Sequence, residues 1–403
     1  MPHARSVSIA IFIGAGSRYE AADKAGVFHF IEHLCFRGTL KRSTAREISE
    51  AIEGVGGVLN GGTDKELTLY WIKVPVAHFP LAMDVLADII RCSKFDVEDV
   101  NKERQIIMEE INLSNDSPSD RVSYLIDEVL WPDHPLGRDP AGSKETVSAI
   151  SRSDILDHVG SQYLSNSTVV SIAGDIPHDD VVCAVEKVFA DWQPNDIQSW
   201  QPASDVQSEP RLCIECRETE QTHLCLAVKG WPLNHPDRYN LDMLNVILGE
   251  GMSSRLFAEI RDRRGLAYVV NSGVEHFQDS GAVVIYAGVA RELVYEAVSA
   301  ILDQLNQMKD GIPEAEMIKA REMSKGRLLL RMEDTYGMAR WLGAQELLTG
   351  KILTEEEVLS IVDSIQVQDV QRVAQQLFVT ERLSLGIVGP VGDEDRLAKL
   401  LRL

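Results

Sequence analysis

Apolar and polar residues follow one another along this chain in two periods. The run Val7-Ser8-Ile9-Ala10-Ile11-Phe12-Ile13 is almost wholly apolar and rich in β-branched residues, which predicts a core strand from Ser6 to Gly14. Behind Arg5 it imitates the apolar stretch of a short secretory signal. Leu224 to Gly230 behaves in the same way deep inside the chain, and both read as strands. Helical spacing predicts a helix that ends near Gly38 and another over Ala45 to Glu53. A strand over Leu67 to Val74 precedes helices over Pro80 to Arg91 and Val97 to Leu113, and a last helix and strand fill Asp154 to Gly174.

The second half repeats this order. His223 to Gly230 matches the opening strand, Tyr239 to Leu248 the next helix, and Ser254 to Arg261 the helix after it. Ala282 to Gly288 with Leu293 to Met308, Glu314 to Met332, and Val367 to Gly389 complete the match. The predicted class is α+β: two homologous layered domains from an internal duplication, each a mainly antiparallel sheet packed with helices. Trp192 to Pro210, with Pro194, Pro202 and Pro210 among polar residues, reads as a linker. The domains are therefore expected over 1–191 and 211–403.

The first predicted helix contains His29-Phe30-Ile31-Glu32-His33. Residues four apart on a helix lie about 40° apart around the axis and one turn along it. His29 and His33 thus present two imidazoles side by side, and Glu32 leans over the same place from the flank. Two neutral imidazoles and a carboxylate are what a catalytic zinc uses: two ligands and a base for a water molecule. The order His-x-x-Glu-His is the inverzincin signature. Taken alone, these five residues also fit a polar helix face hydrogen-bonded to its neighbours.

A third ligand is expected on the helix that starts behind Asp96, whose first turn carries Glu98 and Asp99. Seven residues bring a helix back to within about 20° of its start. Glu103 and Glu110 therefore share a face, and Glu109 points about 100° away from Glu110. Glu110 is the expected metal ligand, Glu103 a support one or two turns below it, and Glu109 an exposed acid.

Together these motifs resemble the pitrilysin family of zinc peptidases, in particular its short-chain branch with the mitochondrial processing peptidase and bacterial homologues. The family pattern places the second Glu of a Glu-(six residues)-Glu pair far downstream, here 110 − 33 = 77 residues after His33. It also has an Arg and a Tyr seven apart in the second half, here Arg261 and Tyr268. The resemblance covers nearly the whole chain. It implies Zn²⁺ held by His29, His33 and Glu110, with Glu32 as general base and Glu103 hydrogen-bonded to a ligand. It implies that Arg261 and Tyr268 hold the substrate carbonyl and steady the oxyanion. At the matching place the second half reads Asp242-Met243-Leu244-Asn245-Val246, without imidazoles, as a division of labour after duplication would leave it. Gly56 to Thr63 resembles the family's lead into an edge strand on which an extended substrate pairs. Gly61-Gly62 stands where larger residues are usual, and Asn60 reads equally as a substrate contact or a turn residue. Relatives carry a further strand ahead of this point, so the chain is expected to begin late in the first sheet. Long-chain relatives close two such halves into a chamber. The implied function is a zinc endopeptidase for short or unfolded, basic peptides, working as a homodimer with a shared active site. The rival is a non-catalytic scaffold or partner subunit of the same fold.

Composition narrows this only a little. A net charge of −22 argues against nucleic acid and anionic membrane surfaces and suits basic partners. No apolar run reaches the roughly 18 residues that span a membrane, and a cytoplasmic location is expected. Six cysteines in 403 residues do not form a disulfide framework. Cys213 and Cys216, with His223 and Cys225, are disfavoured as a second metal site because a second Cys-x-x-Cys is missing.

Overall fold

The computed structural model describes residues 1–204 and 206–403; position 205, inside the linker expected over 192–210, lies outside the described residues. The first half runs β1 (Ser6–Ile13), α1 (Val27–Cys35), α2 (Ala45–Glu53), β2 (Val58–Thr63), β3 (Thr68–Pro75), α3 (Phe79–Arg91), α4 (Val97–Asp116), α5 (Pro118–Leu130), α6 (Lys144–Ala149), α7 (Arg152–Gln162), β4 (Thr168–Gly174) and α8 (His178–Phe189). The second half runs β5 (Arg211–Glu215), β6 (Gln221–Lys229), α9 (Arg238–Gly249), β7 (Ala267–His276), β8 (Gly281–Ala290), α10 (Val294–Asp310), α11 (Glu314–Met332), α12 (Thr335–Thr349), α13 (Glu355–Ser364), α14 (Val367–Leu377), β9 (Ser384–Val388) and α15 (Glu394–Leu400).

One sheet has the order β2-β3-β1-β4 and the other β5-β9-β6-β8-β7. All pairings are antiparallel except that of β5 with β9. The class is the α+β arrangement expected, and the duplication is visible strand by strand. β2, β3, β1 and β4 have their counterparts in β7, β8, β6 and β9. The helix expected over Ser254 to Arg261 is wound differently: Phe257–Arg263 forms a π-helical turn, closed by Arg264 N–H donating to Glu259 O at 3.1 Å.

The chain divides into two compact units, and they are not its two halves. One comprises Met1–Asn112, Arg138–Gln201 and Leu329–Ile352; the other comprises Leu113–Gly137, Pro202–Leu328 and Leu353–Leu403. Each sheet thus takes one covering helix from the opposite half of the sequence. The expected division at a single linker over 192–210 follows the order of the chain and not its packing.

Burial explains the exchange. On β1, Val7, Ile9, Ile11 and Ile13 belong to the core under α1, α2, α3 and α7. Ala10 and Phe12 point the other way and pack with Leu69, Ala173 and Ala339 of α12. A strand buried on both faces needs helices on both faces, which is why β1 reads as an unbroken apolar run. α12 is tied down by Thr335, whose hydroxyl lies 2.8 Å from that of Ser8, by an ion pair of Asp334 with Lys73 and by the Tyr336 ring 4.1 Å from that of Trp71. In the other unit α5 has the same role. Its Val122, Leu125, Ile126 and Leu130 cover Cys225 and Ala227 of β6. Among the described residues no helix is long and apolar enough to cross a membrane.

α12 comes close to its sheet at Gly343, where a Cβ would lie 2.2 Å from Phe12 Cε2 and 2.9 Å from Ser171 Cβ. Gly343→Val should therefore cost about 1–3 kcal/mol by overpacking, read as a lowered urea midpoint. An unchanged midpoint would mean that α12 does not sit on this face.

Candidate metal centre

α1 starts without a capping side chain of its own. Gly26 occupies the N-cap with φ 93°, in the left-handed region that favours glycine. A Cβ there would meet Ala141 O at 2.5 Å. The free amides of the first turn are satisfied from six residues upstream: Glu20 accepts Gly26 N–H at 2.8 Å and Phe28 N–H at 2.9 Å. Burial raises the Glu20 carboxyl to about 8 against the opposing pull of these backbone bonds and of Arg138. Phe28, Phe30, Ile31 and Leu34 then seat the helix in the core, while His29 and His33 remain partly open.

Three donor atoms converge here. His29 Nε2 and His33 Nε2 are 3.2 Å apart, and Glu110 Oε2 lies 3.4 Å from His33 Nε2 and 3.8 Å from His29 Nε2. Donors at the corners of a tetrahedron around zinc, with bonds of about 2.0–2.1 Å, stand about 3.3–3.4 Å apart. The triangle is close to that size. Two imidazole nitrogens at this separation also repel unless a proton or a cation lies between them. The donor set therefore fits a divalent zinc-like ion, with Glu32 grouped beside the two histidines.

Supporting contacts fix the ring of His33. Its Nδ1–H donates to Glu103 Oε2 at 3.0 Å, and Arg37 pairs with Oε1 of the same carboxylate. Glu103 is buried, whereas Glu110 is 43 % exposed at its side chain; Glu109 is exposed. The stripe Val100, Glu103, Ile107 and Ile111 is the buried face of α4 and turns both acids toward α1. Burial of His29, and then the charge of its neighbour His33, pulls its pKa down to about 4. Burial also lowers that of His33, but the bond to Glu103 and the charges of Glu110, Glu32 and Glu103 outweigh it and raise the net value. Burial raises Glu32 against the pull of His33 and of a 3.5 Å hydrogen bond donated by Thr63 Oγ1.

β2 is an edge strand and runs past this group. A Cβ at Gly61 would come within 2.9 Å of Glu32 Oε1 and of the Phe36 ring, so glycine leaves the Glu32 carboxyl its room. Asn60 is exposed, and its Oδ1 accepts Gly61 N–H at 2.8 Å. A cavity of about 530 Å³ opens beside Glu32 and His33, walled by Phe36, Ala45, Ser49 and Leu59.

Arg261 and Tyr268 lie in the other unit. They are brought together, with the guanidinium carbon 4.9 Å from the centre of the tyrosine ring. No second metal-ligating group of histidines, cysteines and acids forms among the described residues. His223 Nδ1 is 2.8 Å from Tyr286 Oη, and burial raises the thiol of Cys225. Sequence spacing missed Glu20, Arg37 and Thr63. The one available signal was Glu20: an acid shortly before a helix that has no capping residue of its own.

The family described as "Insulinase (Peptidase family M16)" matches residues 1–144, and "Peptidase M16 inactive domain" matches residues 149–324. A Bacillus subtilis relative, "Uncharacterized zinc protease YmxG", is 36% identical over 393 residues, 97% of this chain and 95% of the relative. The chain belongs to peptidase family M16, the pitrilysin family. A second M16 relative, "Uncharacterized zinc protease Rv2782c" of Mycobacterium tuberculosis, is 36% identical over 406 residues, 100% of this chain and 92% of the relative. The M16 fold recurs in a protease from Helicobacter pylori, at TM-score 0.89 and 24% identity over 96% of this chain and 94% of that one. It recurs again in a chain of complex III2 from Candida albicans, at TM-score 0.85 and 20% identity over 100% and 96%.

The two histidines of this M16 chain are shifted in opposite directions. Because the pKa of His33 is raised and that of His29 lowered, the pair takes up one proton as pH falls through the pKa of His33, and a second only near 4. A proton on His33 excludes a metal ion. Metal affinity, read by chelator competition, should fall about tenfold per pH unit below that first pKa. A hundredfold loss per unit would mean that both rings take up protons together.

Proposed function

We propose that this protein is a zinc-dependent endopeptidase. The observation that carries the reading is the triangle of His29 Nε2, His33 Nε2 and Glu110 Oε2 with the buried Glu32 beside it. Zinc is the ion in this reading, as the names of the relatives from Bacillus subtilis and Mycobacterium tuberculosis indicate for those proteins. When bound, it lowers the pKa of a water toward about 7 and polarises a carbonyl.

The residues of the chain do the rest. His29, His33 and Glu110 hold the ion. Glu103, itself paired with Arg37, keeps the proton of His33 on Nδ1 and leaves Nε2 free as a donor. Glu32 takes a proton from the attacking water and delivers it to the departing amine. Its raised pKa suits a carboxylate that must first accept a proton and then part with it. The free edge of β2 suits main-chain pairing with an extended peptide, and Asn60 stands on that edge. Arg261 and Tyr268 are assigned to the substrate carbonyl and the oxyanion.

The substrates in this reading are short or unfolded, basic peptides, which the net charge of −22 favours. The enzyme is read as a cytoplasmic homodimer that forms a chamber, in which Arg261 and Tyr268 of one copy complete the metal site of the other. A scaffold role has one observation in its favour, the likeness to a chain of complex III2. The donor set speaks against it.

Two measurements test this. Cleavage of a quenched basic peptide of about 15 residues should require zinc and fall at least about 100-fold in Glu32→Gln with zinc still bound. No cleavage by the zinc-loaded wild type would turn the reading toward a scaffold. For the shared site, Glu32→Gln should be mixed with Arg261→Ala. Each variant alone is strongly impaired, Arg261→Ala keeping a small measurable activity, but half of randomly paired dimers would carry one intact site, restoring about a quarter of wild-type activity. A mixture as inactive as its parts would overturn the shared site.

A further inference from the structure

Arg261 stands in an unusual electrostatic setting. Its guanidinium carbon lies 4.8 Å from the ring centre of Phe257 and 4.9 Å from that of Tyr268. Of the two acids close to it in sequence, Asp262 is exposed and makes no ion pair with it among the described residues, and Glu259 is already engaged: Arg263 pairs with both of its oxygens, and Arg264 Nε donates to Oε1 at 2.7 Å. Among the described residues Arg261 forms no ion pair. It is a half-buried cation held by two aromatic faces, with its N–H donors uncommitted.

Two backbone irregularities produce this. Phe257 and Arg261 both lie in the π-helical turn Phe257–Arg263, and such turns recur at functional sites because they re-aim side chains. Gly265, at φ 63°, then reverses the chain into β7. In the pairing of β7 with β8 the register slips between Ala267 and Val269, so Tyr268 is the extra residue of a β-bulge. Its side chain is thrown outward and is 72% exposed. An exposed tyrosine has no packing reason to face an arginine, and a free arginine beside an acid would normally take the acid.

We propose that Phe257 is a positioning residue for Arg261: its ring holds the guanidinium against Tyr268 while Glu259 is kept occupied by Arg263 and Arg264, so that the arginine donors stay available for a substrate carbonyl oxygen. This rests on the peptidase reading, and within it on the assignment of Arg261 to substrate. In this reading Phe257 acts through Arg261.

Phe257→Leu keeps apolar volume and removes the ring. It should lower kcat/KM by about 3- to 30-fold, the span of a cation–π contact from exposed to desolvated. Phe257→Tyr, which keeps the ring at a half-buried position, should restore wild-type cleavage. The decisive comparison is made in the Arg261→Ala background, where Phe257→Leu should change nothing further. A second readout does not need turnover. In protein labelled with ¹³C-arginine, the Arg261 side-chain signals, assigned by their absence in Arg261→Lys, should be ring-shifted in the wild type and lose part of that shift in Phe257→Leu. An equal loss of activity in the Arg261→Ala background would make Phe257 merely structural and overturn the proposal. So would no loss in Phe257→Leu when the wild type cleaves. A wild type that cleaves, with Arg261→Ala cleaving equally well, overturns the role of Arg261 and this proposal while leaving the metal centre standing. No cleavage by the zinc-loaded wild type overturns both readings.

Discussion

Two imidazole nitrogens 3.2 Å apart are the constraint on which the first unit depends. Lone pairs do not approach so closely without a cation or a proton between them, so the groups around α1 must hold the rings at a separation that only such a bridge makes favourable. The work is shared by groups that otherwise look unrelated. Glu20 anchors the start of the helix through its backbone amides. Phe28, Phe30 and Ile31 lock it into the core. Glu103 sets the proton on one ring, and the buried face of α4 delivers Glu110 to the third corner. The same burial lowers the pKa of His29 and raises that of Glu32. A neutral imidazole and a basic carboxylate are therefore two results of one dry environment acting on groups of opposite charge type.

Duplication supplied that environment twice, and the two copies use it differently. In both units the central strand is buried on both faces, and in both the outer face is covered by a helix from the other half of the chain, α12 for β1 and α5 for β6. Such an exchange makes the halves mutually dependent for their cores. A chain built this way can lose the histidines from one copy without losing its fold, because β6 still needs α5 whatever the helix beside it carries. The second copy kept the scaffold and put its irregularity elsewhere, into a π-turn and a bulge around Arg261 and Tyr268.

How much of this was legible depends on the range over which each feature is determined. The strand β1, the helices α1, α2 and α4 and the repeat were readable, because apolar period is a local property. The nearness of His29 to His33, and the shared face of Glu103 and Glu110, follow from helical geometry alone. The exchange of α5 and α12 was not readable: an apolar helix face says that it needs burial, not which sheet provides it. Glu20 was missed because its role is to satisfy backbone amides, and nothing in an amide's sequence position names its partner. The π-turn was read as ordinary helix, since Ser254 to Arg261 has helical spacing and one extra residue per turn leaves no mark in composition.

The features whose geometry the sequence did not disclose are those in which the backbone departs from the regular element. Gly26 and Gly265 adopt left-handed φ, Gly61 vacates the space taken by Glu32 and Phe36, and Tyr268 sits on a bulge. Each departure costs local stability, and each lies beside a side chain assigned to chemistry. Regular helices and strands place side chains only at fixed angular steps. A carboxyl that needs room, or a guanidinium that must stay unpaired next to an acid, calls for angles between those steps. The irregularities are therefore where local packing preference yields to the placement of reactive groups, and the rigid, doubly covered sheets are what make that concession tolerable.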